Sequence, residues 1–321
     1  MIRQLALTVL FSTLLPQLTE AQFSWKDTEG KYLDLTHGSR SIARYVYEPV
    51  DDSSIERRNE TYKPFCHIYQ WWSGDNFITK GPGGKYPHHR GIYYGFSRIS
   101  YTDDAGVKHE KVDNWHCRKA AQVHREFTDK VATKDSASFT SRIDWLGDNG
   151  TAFASESRSM TFSLQNKDIV IDFTSTLTPL ISSLLLDGDP QHAGFQFRAS
   201  QEVFEKTAKA TYFIRPDSGI GKPGVTINWS SKTDNEQTRD LPWKGMAFRL
   251  KEKTYTVAYL DALSNPKPAR YSERDYGRFG SYFATEVAKE APLTVNYRLI
   301  IRMGEMTPEE ISAMSEAFAN N

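Results

Sequence analysis

The sequence predicts an all-β fold, a large antiparallel β-sandwich with one helix at its C-terminal end. The main observation is that apolar and polar side chains alternate along many segments, as they do in strands with one buried face. Glycine, asparagine, aspartate and proline interrupt these segments where turns are needed. No internal repeat and no linker divides the chain after residue 21. We therefore expect residues 22–321 to form a single domain, a size that sandwiches reach.

The alternation is clearest from Asp168 to Leu177, where Ile169, Ile171 and Phe173 share one face. The segment 293–303 is equally typical of a strand. An antiparallel sheet can keep one polar face, and a curved polar face is suited to binding a sugar. Further strands are predicted at 91–101, 121–128, 138–145, 152–164, 193–200, 245–250, 254–260 and 281–287.

The single predicted helix begins near the C-terminus. Thr307 and Glu310 form a capping box, and Pro308 occupies the first helical position. A narrow apolar stripe follows from Ile311 to Phe318. A stripe of this width indicates a helix that packs on the outside of a sheet.

Residues 1–21 are predicted to be a secretory signal peptide. Arg3 precedes an apolar core from Leu5 to Leu15, and the small residue Ala21 precedes the expected cleavage site. This core is too short to cross a bilayer, and no later segment is apolar enough to do so. We expect an exported protein, periplasmic or secreted, without a membrane span.

Composition narrows the function classes. Lys and Arg total 40 and Asp and Glu total 40, a balance that argues against a nucleic-acid partner. The nucleotide-binding, serine-hydrolase and zinc-protease signatures are missing from the sequence. Aromatic residues make up 13% of the chain, and aromatic rings stack on sugars. Cys66 and Cys117 can pair in an exported protein, but two buried free thiols are the favoured expectation.

The segment around His88, His89 and Arg90 is the densest candidate for chemistry. A glycine-rich stretch and Pro87 precede it, and Gly91 follows. Histidine acts as acid, base or metal ligand near neutral pH, and arginine stabilises an oxyanion. We predict that these three residues are catalytic; the alternative is a turn whose histidines satisfy buried backbone groups.

A second histidine-rich segment raises the question of a metal. His116 and His124 are candidate ligands together with His88 or His89, although their spacing matches no zinc signature. The cofactor therefore remains open, with a divalent metal as one alternative. Trp115, in the same segment, is predicted to bind substrate as a platform for a sugar ring; the alternative is a core residue.

Three further segments carry polar side chains on predicted strands or turns. On a strand, Glu156 and Arg158 share one face, either as a carboxylate held in the groove or as a surface ion pair. A strand after residue 192 places polar residues opposite Phe195 and Phe197. From these segments we predict Glu156 and His192 as catalytic, and as substrate-binding Arg158, Gln196, Arg198, Arg274, Tyr276 and Arg278.

Several of these segments, in this order, resemble one bacterial family of unknown function. The family carries the label PmoA-like and is common in planctomycetes and other glycan degraders. A methane-oxidising membrane subunit needs transmembrane helices, which this sequence does not predict, so the resemblance implies a sugar substrate instead. The matching segments are Lys63-Pro64-Phe65, Pro87-His88-His89-Arg90-Gly91, Asp113-Asn114-Trp115, Glu156-Ser157-Arg158, Gly194-Phe195-Gln196-Phe197-Arg198, Asn265-Pro266 and Asp275-Tyr276-Gly277.

The predicted fold is also similar to the galactose-mutarotase-like super-sandwich, whose sites act on sugar rings. We therefore predict a carbohydrate-active enzyme that cleaves a glycosidic bond by elimination, with His88 or His89 as the base. Arginine would stabilise the enolate of a uronate or a keto-sugar. The alternatives are a glycoside hydrolase, a sugar epimerase and a metal-dependent oxygenase. A non-catalytic glycan-binding module, with Trp71 and Trp72 as platforms, is the alternative from another class.

Overall fold

The computed structural model describes residues 22–70, 76–166 and 168–320. The predicted signal peptide (1–21) and the predicted platforms Trp71 and Trp72 lie outside the described residues. The first strands are β1 (Phe23–Thr28), β2 (Tyr32–His37), β3 (Arg40–Val46), β4 (Phe65–Ile68), β5 (Ile92–Phe96), β6 (Arg98–Thr102), β7 (Lys108–Val112), β8 (Ala121–Ala132), β9 (Ser136–Leu146), β10 (Ala152–Gln165) and β11 (Asp168–Pro179). The later strands are β12 (Ser183–Asp187), β13 (Ala193–Arg198), β14 (Tyr212–Arg215), β15 (Gly219–Ile220), β16 (Trp243–Leu250), β17 (Lys253–Asp261), β18 (Arg270–Arg274), β19 (Arg278–Tyr282), β20 (Thr285–Ala288) and β21 (Leu293–Met303).

Among the described residues, helical structure is confined to short segments and the C-terminus. The α-helices there are α1 (Ile55–Thr61) and α2 (Pro308–Ala319). A π-helical turn spans Val203–Thr207, and 3₁₀ turns span Ala208–Ala210 and Glu236–Thr238. The all-β class predicted from the sequence is confirmed.

The strands form three antiparallel sheets. One sheet has eight strands in the order β1-β2-β3-β4-β5-β13-β19-β18. A second has nine, in the order β15-β14-β16-β17-β21-β11-β10-β9-β8, and a third has four, in the order β20-β12-β6-β7. The two large sheets pack face to face, since Phe195 of the first stacks against Phe173 and Tyr297 of the second, with ring centroids 4.3 and 4.8 Å apart. This confirms the predicted sandwich.

Two predicted strands are each divided between two sheets. The segment 91–101 breaks at Ser97, so that β5 pairs with β13 while β6 pairs with β12. The segment 281–287 likewise breaks after Tyr282 into β19 and β20. The sequence pattern continues across both breaks because strands on either side need the same alternation; only the pairing partner changes.

The C-terminal helix α2 forms as predicted. The Thr307 side chain accepts from the backbone N–H of Glu310, and the Glu310 carboxylate accepts from the backbone N–H of Thr307. Ile311 is fully buried against a small apolar cluster that includes Ile214 and Trp243. The helix therefore covers the outer face of the nine-stranded sheet. In the described ranges, none of the helices is long and apolar enough to cross a membrane.

The two cysteines are free thiols, as the sequence favoured. Cys66 and Cys117 are both buried and unpaired with each other. Burial raises the pKa of the Cys117 thiol to about 12, because a thiolate loses its hydration there. Both side chains act as small apolar groups.

Acid should destabilise this fold through His67, a buried histidine on β4. Its ring stacks on Phe77 with centroids 4.0 Å apart, and Nδ1 lies 2.9 Å from the Thr79 hydroxyl. Burial lowers the pKa of His67 from 6.5 to about 3. Between pH 6.5 and about 3 the unfolded chain binds a proton at this histidine and the folded chain does not. The contribution of neutral, buried His67 to the free energy of unfolding is therefore present above pH 6.5 and is lost as the pH falls toward 3.

A His67→Gln variant should therefore show a shallower decline of the free energy of unfolding between pH 7 and pH 4 than the wild type. Each unit of pKa difference corresponds to about 1.4 kcal/mol. Urea unfolding at several pH values measures the slope. The matched control is His37→Gln, a substitution at a half-exposed histidine at the end of β2. Equal slopes for wild type and His67→Gln would show that His67 does not carry the effect.

Candidate functional site

Two turns of the same local structure leave the four-stranded sheet side by side. The first follows β7, where the Asp113 carboxylate accepts from the His116 ring Nδ1 at 2.7 Å. The second follows β12, where the Asp189 carboxylate accepts from the His192 ring Nδ1 at 2.9 Å. In both turns the other carboxylate oxygen accepts from a backbone N–H two residues on, at 2.9 Å. Each carboxylate fixes its histidine so that Nε2 carries the free lone pair.

The strand order explains why these turns meet. Both β7 and β12 are antiparallel to β6, which lies between them. They therefore run in the same direction, and their C-terminal ends lie at one edge of the sheet. Ile99 of β6 pairs with Leu186 on one side and with Val112 on the other, so the two strands end in register. The rings of His116 and His192 lie with centroids 4.7 Å apart.

His88 completes the cluster from a turn that enters β5. Its ring centroid lies 4.4 Å from that of His116 and 5.3 Å from that of His192. One ring nitrogen from each of the three lies within 4.8 Å of the others. Gly91 permits this approach, because its φ is +49° and any Cβ there would collide with the carbonyl oxygen of Cys66. We call His88, His116 and His192 the histidine triad.

His89 lies beneath the histidine triad and is 1% exposed. Its Nε2 lies 3.2 Å from the backbone carbonyl oxygen of Gln191. A carbonyl only accepts, so Nε2 carries the proton and Nδ1 carries the lone pair. Nδ1 is buried and has no hydrogen-bond partner. Burial, and then the charge of Arg278, lower the pKa of His89 well below its usual value, so the ring is neutral at pH 7.

Arg198 and Arg278 face each other across paired strands below His89. They are cross-strand partners in β13 and β19, and both are fully buried. In each guanidinium, Nη1 donates a hydrogen bond within the protein. Arg278 Nη1 donates to the Gln196 side-chain oxygen at 2.9 Å, and Arg198 Nη1 donates to the Ala199 carbonyl at 3.0 Å. In both, Nε and Nη2 are buried without a partner. These two atoms form the edge that grips a carboxylate with two parallel hydrogen bonds.

This pair of arginines is energetically costly as it stands. Like charges directly opposite each other in a sheet repel, and buried donors without partners lose their hydration. In the part of the chain that the structure describes, no carboxylate forms an ion pair with Arg198 or Arg278. Burial lowers the pKa of Arg198 to about 10, which still leaves it charged at pH 7. The arrangement is therefore suited to binding an anion.

The floor of the site consists of buried polar and aromatic groups. The hydroxyl of Tyr93 and the indole N–H of Trp115 are buried without partners. The Lys63 ammonium donates to the Trp115 carbonyl at 2.5 Å and lies 4.4 Å from the Tyr93 ring centre. Burial lowers the pKa of Lys63 to about 7. Trp115 is 0% exposed, so the predicted role as a sugar platform is wrong: its faces pack against Tyr93 and the ring of His89.

One wall of the site is aromatic. Tyr276, in the turn between β18 and β19, is 8% exposed and stacks on Tyr86 with centroids 5.0 Å apart. The guanidinium of Arg198 lies 4.7 Å from the centre of the Tyr276 ring. The Tyr276 ring is also nearly parallel to that of His89, at 6.4 Å. The predicted binding residue Tyr276 is thus brought next to the predicted base.

An open cavity of about 530 Å³ adjoins the site. The turn Asp189–His192 lines it, together with Arg274 and Trp229. The same turn covers the buried groups, since its carbonyls accept from the Arg278 guanidinium and contact His89. Arg274 reaches the turn through the Gln191 side-chain oxygen at 3.3 Å. The turn therefore separates an open, sugar-sized cavity from the free guanidinium edges.

Glu156 and Arg158 do not line this site. They form a bidentate ion pair on β10 inside the sandwich, with nitrogen–oxygen distances of 2.8 and 2.9 Å, and Glu156 is 0% exposed. The Glu156 carboxylate also accepts from the Trp145 indole and the Ser175 hydroxyl. Both predicted roles, catalytic Glu156 and substrate-binding Arg158, are corrected: their faces point into the core, where alternation alone does not distinguish a groove from the interior.

Two more predicted residues are held elsewhere. Arg90 is buried and donates to the carbonyls of Asn59 and Glu60, so it caps the C-terminal end of α1 and stacks on the Tyr62 ring at 4.1 Å. His124 lies on β8 with Nδ1 2.6 Å from the Ser141 hydroxyl, apart from the histidine triad. Arg90 therefore has a structural role in place of the predicted catalytic one, and His124 is replaced as a candidate ligand by His192.

The polar face predicted for β13 is confirmed in position. Phe195 and Phe197 face the core, and Gln196 and Arg198 lie on the opposite face.

Sequence reasoning missed Asp189, Tyr93 and Lys63 as parts of the site. The signal for Asp189 was available, because the pattern Asp-x-x-His occurs at 113–116 and again at 189–192.

Comparison with known families identifies the chain by its sequence. A family of unknown function, DUF6807, matches residues 32–316. The chain belongs to the DUF6807 family. The description of DUF6807 names no activity, so the resemblance to PmoA-like proteins stays a prediction. No curated protein matches this DUF6807 chain.

Solved structures similar to this DUF6807 chain include two of comparable size. An aldose epimerase homologue from C. elegans has a TM-score of 0.38 and 7% identity, over 89% of this chain and 100% of that chain. A galactose mutarotase-like protein from Clostridium acetobutylicum has a TM-score of 0.42 and 7% identity, over 89% and 99%. An α-galactosidase from Geobacillus stearothermophilus has a TM-score of 0.42 and 10% identity over 90% of this chain, which spans 42% of that chain. At these values the likeness does not bear on activity.

Proposed function

We propose that this protein is an exported enzyme that cleaves a glycosidic bond in a uronate-containing carbohydrate by elimination. One observation carries the proposal: Arg198 and Arg278 bury two carboxylate-gripping edges side by side, next to a neutral histidine with a free lone pair. A uronic acid presents a carboxylate one bond from an acidic C–H group. The two arginines thus supply what carboxylate binding requires, and His89 supplies the base that proton abstraction requires.

The steps follow from the placement of the groups. Arg198 and Arg278 hold the carboxylate of the uronic acid and stabilise the negative charge that develops on it. Nδ1 of His89 takes the proton from the carbon next to the carboxylate, and the electrons of that C–H bond form a C=C bond. The C–O bond to the leaving sugar breaks at the next carbon, and its electrons remain on oxygen. The His89 imidazolium then returns the proton to that oxygen, so no other reactant is consumed.

The neutral state of His89 supports the role of base. A base must be unprotonated at working pH, and burial together with the nearby arginine charge lowers its pKa. The carboxylates nearest the site are already engaged: Glu156 lies in the core, Asp113 and Asp189 are held by histidines, and Asp187 pairs with Arg98. Elimination, which needs one base and a charge stabiliser, is therefore favoured over hydrolysis.

Substrate must displace the middle of the turn, Pro190 and Gln191, to reach the guanidinium edges, because their carbonyls contact Arg278 and His89. The guanidinium edges are buried on one side of the turn, and the open cavity lies on its other side. The turn is held by hydrogen bonds of the Pro190 carbonyl with Ser272 and Arg278, of the Gln191 carbonyl with His89, and of the Gln191 side chain with Arg274. We propose that the carbohydrate binds in the cavity and that a shift of Pro190 and Gln191 opens the Nε and Nη2 atoms of Arg198 and Arg278 to the carboxylate of the carbohydrate.

The test is a product screen with a matched arginine variant. The purified protein is incubated with uronate-containing glycans and, separately, with 3-keto-glycosides, while the ultraviolet absorbance of an unsaturated product is recorded. Arg278→Met should lower kcat about 10²- to 10³-fold on a uronate substrate, because the variant removes donors to the developing charge. Arg142→Met, at an exposed arginine on β9, should leave kcat unchanged.

Either of two outcomes would contradict the proposal. Release of a saturated sugar without an unsaturated product would indicate hydrolysis. Binding of uronate oligosaccharides without turnover, equally strong in Arg278→Met, would indicate the glycan-binding module.

A further inference from the structure

The histidine triad is the strongest feature of the site that the proposed elimination does not use. We propose that His88, His116 and His192 bind a divalent transition-metal ion of the Zn²⁺ class, with Asp113 and Asp189 as the residues that orient two of the ligands. The proposal concerns the same site, but it does not depend on the proposed reaction, because an ion is bound or not bound whatever the substrate is.

The first argument is the chemistry of the ligands. Imidazole nitrogen is a preferred ligand of Zn²⁺, and three protein histidines with one open position are typical of catalytic zinc. One nitrogen from each histidine lies within 4.8 Å of the other two. Tetrahedral coordination at ordinary zinc–nitrogen distances needs spacings of about 3.4 Å. Ring rotations that move each nitrogen by about 1 Å supply the difference.

The second argument is the state of the ring nitrogens. The Asp113 and Asp189 carboxylates accept from Nδ1 of His116 and His192, which leaves the Nε2 lone pairs free for a metal. Nε2 of His88 is buried without a hydrogen-bond partner. A histidine that ligates a metal commonly donates its other N–H to a carboxylate in this way. Three nearby rings with free lone pairs, and no donor of the described residues assigned to them, form a site that a cation completes.

The third argument is charge. Imidazole ligates a metal in its neutral form, so the three ligands would bring no charge to the ion, whereas two aspartate carboxylates lie next to the triad. A divalent ion balances these charges locally. The triad is also accessible, since the side chains of His116 and His192 are 24% and 25% exposed. An ion from solution therefore reaches the site without opening the fold, and its fourth position stays free for water or a substrate oxygen.

Metal binding is measured without substrate, so its failure and that of the elimination are distinguishable. The protein is treated with chelator, dialysed, and titrated with Zn²⁺ against a chromophoric competitor. Visible absorption with Co²⁺ reports the coordination geometry. We expect one equivalent of Zn²⁺ per chain, a Co²⁺ spectrum of tetrahedral or five-coordinate type, and no comparable binding of Mg²⁺, which prefers oxygen ligands.

Variants assign the ligands. His116→Ala and His192→Ala should each lower Zn²⁺ affinity more than about 100-fold, and Asp189→Asn should lower it about 10- to 100-fold through the orienting hydrogen bond. His124→Ala, at a histidine outside the triad, should bind Zn²⁺ as the wild type does. Zn²⁺ should also raise the Tm of the wild type and of Asp189→Asn, but not that of His116→Ala.

A wild-type chain that binds no stoichiometric Zn²⁺ or Co²⁺ would overturn the proposal. Binding that persists unchanged in both His116→Ala and His192→Ala would overturn it as well. Circular dichroism of each metal-free variant verifies that a loss of binding does not come from a loss of folding.

Discussion

A His89→Gln variant is expected to lose about 10³-fold in kcat on the substrate that the product screen identifies. The glutamine amide keeps a donor for the Gln191 carbonyl that His89 Nε2 now contacts at 3.2 Å. It supplies no basic nitrogen in place of Nδ1, which is the lone pair the elimination needs. General-base catalysis by a positioned side chain is worth about 10²- to 10⁴-fold, and the expected loss lies inside that range. The rate of appearance of the unsaturated product measures the loss.

The expected pattern separates a base from a binding residue. KM should change little in His89→Gln, because the arginines that hold the carboxylate are intact. The variant should also retain its Zn²⁺ content, since His89 is not part of the triad. His124→Gln, at a partly buried histidine on β8, is the matched control and should keep kcat within about two-fold. A His89→Gln enzyme with normal kcat would remove His89 as the base and leave the histidines of the triad to be tested next.

A Glu156→Ala variant is expected to lose about 3–5 kcal/mol in the free energy of unfolding. The change leaves the Arg158 guanidinium, whose side chain is 2% exposed, without the carboxylate that now neutralises it. The Trp145 indole and the Ser175 hydroxyl lose their acceptor at the same time. A buried charge without a partner is costly because the interior does not replace its hydration. Urea unfolding at pH 7 measures the difference.

Two controls make this result specific to the buried pair. Glu126→Ala removes the carboxylate of an exposed pair with Arg142 and should cost less than about 1 kcal/mol. The double variant Glu156→Leu, Arg158→Met removes both charges and should recover most of the lost stability. The kcat of folded Glu156→Ala should equal that of the wild type. A large fall in kcat with unchanged stability would instead return Glu156 to the groove that the sequence suggested.

Sequence periodicity predicted those parts of the site that depend on one strand. The alternation in β13 placed Gln196 and Arg198 on one face and Phe195 and Phe197 on the other, and the structure agrees. The same reasoning placed Glu156 and Arg158 together, which is right, and in a groove, which is wrong. Periodicity tells which residues share a face. It does not tell whether that face meets solvent or the opposite sheet.

The composition of the histidine triad was beyond sequence reasoning for a related reason. His88, His116 and His192 come from three separate turns, far apart in the chain. They meet because β6 lies between β7 and β12, so that two strands of the same direction end at one edge. His124, closer in sequence to His116, lies on β8 in a different sheet. Distance along the chain therefore favoured His124, which the structure places apart from the triad, since strand order sets distance in space.

By itself the sequence determined the all-β class, the C-terminal helix with its capping box, the free thiols and the polar face of β13 that carries Gln196 and Arg198. These features depend on local side-chain alternation, on capping hydrogen bonds and on residue type, which act over a few residues. Only the tertiary structure decided that Trp115 is buried, that Arg90 caps a helix, and that the free edges of Arg198 and Arg278 lie under a turn carrying His192. Each of these depends on which distant segment covers a given face, and that is settled by the packing of whole sheets.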